Sequence, residues 1–223
     1  MRKKILTNSL TPPHMQTITT IKQRFSCRNF SSKKIDKKLL VELLELANQA
    51  PSACNRQNRH FLVIEKQADR DFLADMNKQA HFAQAPVSII VLSKKEQFKS
   101  ADHYLKIMEQ CKMTSWGATS HEFQNNQKFL QEYSKMTRNL FPVSDAAAAT
   151  TTLLLAAHDQ GLNSCWVGVH DDEAIKSRFK IPEDYFVVAC IVLGYAQEKP
   201  NWRAPRKEVG KLISWDKWNN SDS

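Results

Sequence analysis

Polar and apolar positions along the chain fall into helical and extended stretches that alternate. After a polar start broken by Pro12-Pro13, a first helix is expected from about Met15 to Arg24. Asp36 is placed to cap a second helix, in which Leu40, Leu43, Leu44 and Ala47 share one face before Pro51 ends it. His60 to Glu65 reads as a strand, and Gln67 to about Gln79 as a helix. Pro86 introduces Val87-Ser-Ile-Ile-Val-Leu92, an apolar run typical of a buried strand. From Glu96 to Asn139 the pattern turns polar and helical, interrupted at Trp116-Gly117. Val143 to His158 is apolar or small nearly all round, so this helix is expected to be buried on most sides and shared with a subunit partner. Gly161 stops it. Cys165 to Val169 reads as a strand, Asp171 to Phe179 as a helix and Phe186 to Leu193 as a second buried strand. A polar, proline-containing stretch from Lys199 to Lys207 leads to a last helix or extension ending near Trp218.

About four strands interleaved with six or more helices imply an α+β or α/β layered domain. No internal repeat, low-complexity tract or linker divides it. The expected organisation is a flexible segment over 1–14 and a single domain over 15–223. At 223 residues, 42% hydrophobic and 25% charged, the chain can build one substantial core. No apolar run reaches the roughly 18 residues of a membrane span. The basic start, Met1-Arg-Lys-Lys, lacks the apolar stretch of a secretory signal. Five cysteines, with no C-x-x-C among them, fit free thiols in a reducing cytoplasm. His103, His121, His158 and His170 are isolated, without metal-ligand spacing.

A formal charge of +9 raises the question of nucleic acid. Lysines scattered on helix surfaces, such as Lys33, Lys34, Lys37 and Lys38, account for such a charge without a partner. No nucleic-acid motif accompanies them. The alternative, a basic non-enzymatic nucleic-acid-binding protein, predicts steeply salt-dependent binding. Cationic charge also attracts phosphate-bearing cofactors. The five glycines are never closer than seven residues, which excludes G-x-G-x-x-G and Walker A loops. A phosphate bound here must be held largely by side chains, and arginine is the natural clamp.

Four segments carry chemistry in that sense. They are Arg24-Phe-Ser-Cys-Arg28; Ala50-Pro-Ser-Ala-Cys-Asn-Arg-Gln57; Gly161-Leu-Asn-Ser-Cys-Trp-Val-Gly168; and Ile181-Pro182 with Val192-Leu-Gly-Tyr195 and Arg203-Ala-Pro205. In order and spacing they resemble the R-x-S-x-[RK], A-P-S-x-x-N-x-Q-P-W, G-L-x-S-x-W-x-G and C-terminal I-P, L-G-Y, R-x-P patterns of the nitroreductase family of FMN-dependent oxidoreductases. The resemblance covers about residues 15–218. It implies a three-layer α+β fold: a central mixed, mainly antiparallel sheet flanked by helices. It also implies an obligate homodimer with FMN at the subunit interface, NADPH or NADH as reductant, and a small-molecule electron acceptor such as a nitroaromatic or quinone. Catalysis need not rest on any single side chain.

On that resemblance Arg24 and Arg203 hold the FMN phosphate, with Ser26 adding a hydrogen bond and Phe25 beside it. Arg206 or Lys207 stands in for a lysine that would fall at Asn201. Arg28 lies beside the flavin pyrimidine edge. Pro51, Ser52, Asn55 and Gln57 meet the ring edge. Cys165, Trp166, Val167 and Gly168 supply backbone near the reactive nitrogen. Each has a plainer reading. The arginines suit surface ion pairs, Arg28 with Glu45 for example. Asn55 suits a helix C-cap, Trp166 and Val167 suit core strand, and Cys54 is a small buried filler. Residues 96–140 form either a lid over the flavin or dimer packing. Asn58-Arg59 replaces the family's Pro-Trp. Together with the long insert, it leaves another flavin reaction on the same fold open, such as ene reduction or dehalogenation.

Overall fold

The computed structural model describes residues 17–95, 139–198, 200 and 203–218. The expected flexible segment over 1–14 and nearly all of the 96–140 insert lie outside these residues. The elements are α1 (Thr17–Gln23), α2 (Lys37–Asn48), a 3-10 turn (Ala53–Asn55), β1 (Arg59–Ile64), α3 (Gln67–Asn77), α4 (His81–Gln84), β2 (Val87–Lys94), α5 (Phe141–Asp159), β3 (Asn163–Val167), α6 (Asp172–Phe179), β4 (Tyr185–Gly194) and a second 3-10 turn (Val209–Leu212).

The strands form one sheet in the order β1-β2-β4-β3, with each neighbouring pair antiparallel. A parallel bridge, Ser26 to Ser164, runs along the open edge of β3. The central strands are apolar on both faces because each face is covered. Ile89 and Val91 of β2 and Ala189, Ile191 and Leu193 of β4 pack with Leu40 and Leu43 of α2 and Ala146, Leu153 and Ala157 of α5. The intervening residues Ile90, Leu92, Cys190 and Val192 pack with Leu73 of α3, Phe82 of α4 and Ile175 of α6. Strand alternation thus sorts one apolar run into two cores, giving an α/β/α sandwich.

Asp36 caps α2, its carboxylate accepting from Lys38 N–H at 2.7 Å. Asp171 caps α6 in the same way through Ala174 N–H at 3.0 Å. Three expectations shift. Helix α5 starts two residues earlier than expected, with Pro142 in its first turn, where a missing N–H is tolerated. Its burial is a single stripe, including Ala146, Ala149, Leu153 and Ala157, while Val143, Ser144 and Thr151 are exposed. Burial on most sides is therefore not reached within one protomer. Strand β3 ends at Val167, and Val169 projects with 86% of its surface exposed. Helix α4 was not foreseen, because four residues carry no readable period.

Candidate cofactor site

The first segment leaves α1 and lies against β3. Cys27 N–H donates to Ser164 C=O at 2.9 Å, beside the Ser26–Ser164 bridge. This places Arg24, Phe25, Ser26 and Arg28 along the open edge of β3. Because Ser164 turns its backbone outward here, strand alternation turns the backbone groups of Trp166 outward as well. Gly168 follows at the end of the strand and is exposed.

Three arginines meet at this edge. Burial lowers the pKa of the half-buried Arg24, and the positive fields of Arg206 and Arg203 lower it further. The field at Arg24 is dominated by like charge, an arrangement that an anion would relieve. Arg203 donates to the carbonyls of Lys22 and Gln23, which pins the C-terminal arm to the end of α1. Arg206 donates to Ala204 C=O at 3.1 Å. His158, near the end of α5, has its pKa lowered by burial and then by Arg24 and Arg203; its ring meets Phe25 edge-on at 6.3 Å. A cavity of about 650 Å³ opens here, lined by Gln23, Phe25, His158, Asn163, Glu198 and Arg203. A smaller one of about 310 Å³ shares Phe25 and Glu198 with it and reaches Ser26 and Arg28.

Arg28 is exposed, and its charge is felt by Cys27, Cys165 and His81. Among the described residues it makes no ion pair with Glu45. Cys27 and Cys165 pack into the core, and burial raises the pKa of both thiols. Val167 is buried in the same core, and Trp166 packs partly against the opposite one.

The second segment is elsewhere. Residues 51–57 lead into β1, at the far edge of the sheet from β3. Two strands intervene, a separation of about 14 Å. Ala53 N–H donates to Asp145 at the start of α5, whereas Thr20 and Phe25 touch Asp159 and His158 at its end. Residues 145 and 158 are about 20 Å apart along the helix. One protomer therefore gathers Arg24, Phe25, Ser26, Arg28, Cys165, Trp166, Val167, Gly168, Arg203 and Arg206, and holds Pro51, Ser52, Asn55 and Gln57 apart from them.

Within the second segment, Asn55 and Gln57 both have left-handed backbone, φ 52° and 51°. Gln57 N–H donates to Ser52 Oγ at 3.2 Å, and Gln57 Nε2 to Asn55 Oδ1 at 3.0 Å. Asn55 does not cap α2, which ends at Asn48 with Gln49 as its C-cap. Cys54 lies in the 3-10 turn, and its expected burial falls outside the described side chains. Arg59, in place of the family tryptophan, is buried. Its guanidinium donates to Asn48 C=O at 2.6 Å and Ala50 C=O at 3.0 Å. The sequence marks Arg59 only as a departure from the family pattern and gives Asp145 no role; the available signal for Asp145 was one carboxylate in an otherwise small and apolar helix.

The fold is an α+β sandwich whose sheet edge carries a cluster of arginines suited to an anion. The nitroreductase family model matches residues 21–195, and the chain belongs to that family of oxidoreductases. YodC of Bacillus subtilis strain 168, provisionally named an NAD(P)H nitroreductase, is 29% identical over 89% of this chain and 98% of its own. A nitroreductase-like protein from Streptococcus mutans superposes with a TM-score of 0.75 at 17% identity, over 90% of this chain and 97% of that one. A provisionally named nitroreductase of Exiguobacterium sibiricum, solved in complex with FMN, superposes with a TM-score of 0.70 at 23% identity, over 92% of this chain and all of the other.

Proposed function

We propose that this protein is an FMN-dependent NAD(P)H oxidoreductase acting as a homodimer in the cytoplasm on nitroaromatic or quinone-type acceptors. The observation that carries the reading is the Arg24–Arg203–Arg206 cluster beside the open edge of β3. The residues fit the cofactor. Three guanidinium groups suit a phosphate dianion, and the adjoining cavity has room for a ribityl chain. Gly168 is exposed, and a Cβ there would meet nothing closer than Trp166 Nε1 at 3.5 Å. Packing within the protomer thus does not demand glycine, whereas close approach of a flat ring would.

What FMN supplies when bound is two-electron redox chemistry, taking hydride from NADPH or NADH and returning it to an acceptor in alternate ping-pong half-reactions. The chain's own part is binding and electrostatics. Arg24, Arg203 and Arg206 neutralise the phosphate, with Ser26 as a further donor. Arg28 sets a positive charge beside the pyrimidine edge, which favours an electron-rich ring. The backbone of Trp166 and of Gly168 just beyond it, on the open edge of β3, would offer N–H donors to the ring when FMN is bound. Asn55 and Gln57 complete the ring edge from the second protomer.

The split site supports the dimer, since a two-fold partner brings the 51–57 loop of one chain to the arginines of the other. The unpartnered surfaces support it too. Residues 203–218 are all exposed and carry Val209, Leu212, Ile213, Trp215 and Trp218; Ile18 and Ile21 of α1 are also exposed. The domain is read as one unit over 15–223, with 96–140 as its lid or dimer-packing insert.

The test is an absorbance spectrum of the desalted protein after incubation with FMN, repeated with NADPH or NADH without oxygen. Bands near about 370 and 450 nm that persist and then bleach support the reading. A colourless protein after desalting overturns it. Turnover of a nitroaromatic and a quinone with the reduced protein then tests the acceptor class.

A further inference from the structure

Asp145 is a carboxylate on a helix face that is otherwise small and apolar, and only 6% of its surface is exposed. Its Oδ1 accepts from Ala53 N–H at 2.9 Å. Arg56 and Arg59 are buried beside it, and both charges favour its ionised form against the opposing effect of burial. Arg59 in turn grips the backbone on the other side of the same turn. Its Nη2 donates to Asn48 C=O and Ala50 C=O, and its Nε to Asn48 Oδ1 at 3.3 Å. Burying such charges is unfavourable unless they are paired and hydrogen-bonded. Here the bonds go to backbone on both flanks of Pro51-Ser52. Just beyond, Asn55 and Gln57 hold left-handed backbone, which persists only where the surroundings over-determine it.

We infer that Asp145 and Arg59 are positioning residues that clamp the 50–57 loop, so that they set flavin affinity through Ser52, Asn55 and Gln57 without touching the flavin. This rests on the FMN reading above. The arginine in place of the family's tryptophan thereby closes the end of α2 and sets the loop's exit from that helix. Asp145 fixes the middle of the loop to the rigid α5. The two act on the ring-edge half of the site and leave the phosphate half alone.

The experiment is titration of the 223-residue protein with FMN and with riboflavin, followed by flavin fluorescence, alongside thermal melting. Asp145→Ala is expected to weaken both flavins by roughly tenfold or more, since it leaves a backbone donor unpaired. The ratio of the two dissociation constants should stay at the wild-type value, because that ratio reports the phosphate alone. Asp145→Asn keeps an acceptor oxygen for Ala53 N–H but loses the charge, and should weaken both flavins less than Asp145→Ala does. Arg59→Lys keeps the charge but loses the fork, and should weaken both flavins several-fold. Hydrogen exchange in Arg59→Lys should quicken over residues 50–58 while β2 stays protected, which keeps the test intact if Asp145→Ala fails to fold. A lower melting temperature with both dissociation constants and exchange unchanged would overturn the clamp and leave a purely structural role. A loss confined to FMN would overturn it too. Wild-type protein that binds neither flavin would instead overturn the cofactor reading on which the clamp rests.

Discussion

At the scale of single residues, the site is decided by where positive charge is left uncompensated. Arg24 sits half-buried, with Arg206 and Arg203 acting on it. Replacing one such donor to a phosphate removes a charge-assisted contact of about 1.5–3 kcal/mol, or roughly 10- to 150-fold in affinity. Arg203→Ala should therefore weaken FMN by that factor and leave riboflavin nearly unchanged. Equal weakening of both would show that its bonds to the end of α1 matter more than the phosphate. Gly194 tests packing instead. A Cβ there would lie 2.7 Å from Pro86 Cδ and 3.0 Å from Phe30 Cδ1. A proline ring has little freedom to yield, so Gly194→Ala should cost about 1–3 kcal/mol, read as a lower urea midpoint.

At the scale of elements, the short helix α4 carries a pH-sensitive group. His81 is buried, its ring stacks on Phe82 at 5.4 Å, and burial together with the charge of Arg28 lowers its pKa. The unfolded chain takes up that proton near pH 6.5. The folded chain resists it, so this contribution is fully present above about pH 6.5 and is lost as pH falls through the lower folded value. His158 acts in the same sense at the end of α5. Asp145, with its pKa raised by burial, acts in the opposite sense. The wild-type urea midpoint should fall between about pH 7 and pH 5 by more than that of His81→Phe, which keeps the stack without the titration. An equal fall in both proteins would remove His81 from the account.

For the whole molecule, the two halves of the proposed site lie at opposite edges of one sheet. Arg203→Ala damages one half and Asn55→Ala the other. Mixed after unfolding and refolding together, the two variants should recover about a quarter of wild-type flavin sites, because each hybrid dimer holds one intact and one doubly damaged site. No recovery, with hybrids demonstrated by a size or charge tag, would place both halves on the same protomer. The 203–218 arm fits the same proposal: Val209, Leu212, Ile213, Trp215 and Trp218 are exposed along it and suit burial against a partner.

Much of the fold was legible in the chain itself. The continuous apolar runs at Val87–Leu92 and Phe186–Leu193 read as buried strands, and both are central strands covered on two faces. Asp36 and Asp171 marked helix starts through local hydrogen bonds. The absence of closely spaced glycines assigned any phosphate site to side chains, with arginine the natural clamp. These are local properties, fixed by a few neighbouring residues and by periods of 2 and 3.6. The tertiary structure decided what depends on distance. It brought Arg24, Arg203 and Arg206 together across some 180 residues, and it held Asn55 away from them. It also left one face of α5 open where composition implied burial on most sides, and turned Asp145 and Arg59 from stray charges into the two holds on one loop. Charge proximity and burial are set by chain crossings, which no window of sequence contains.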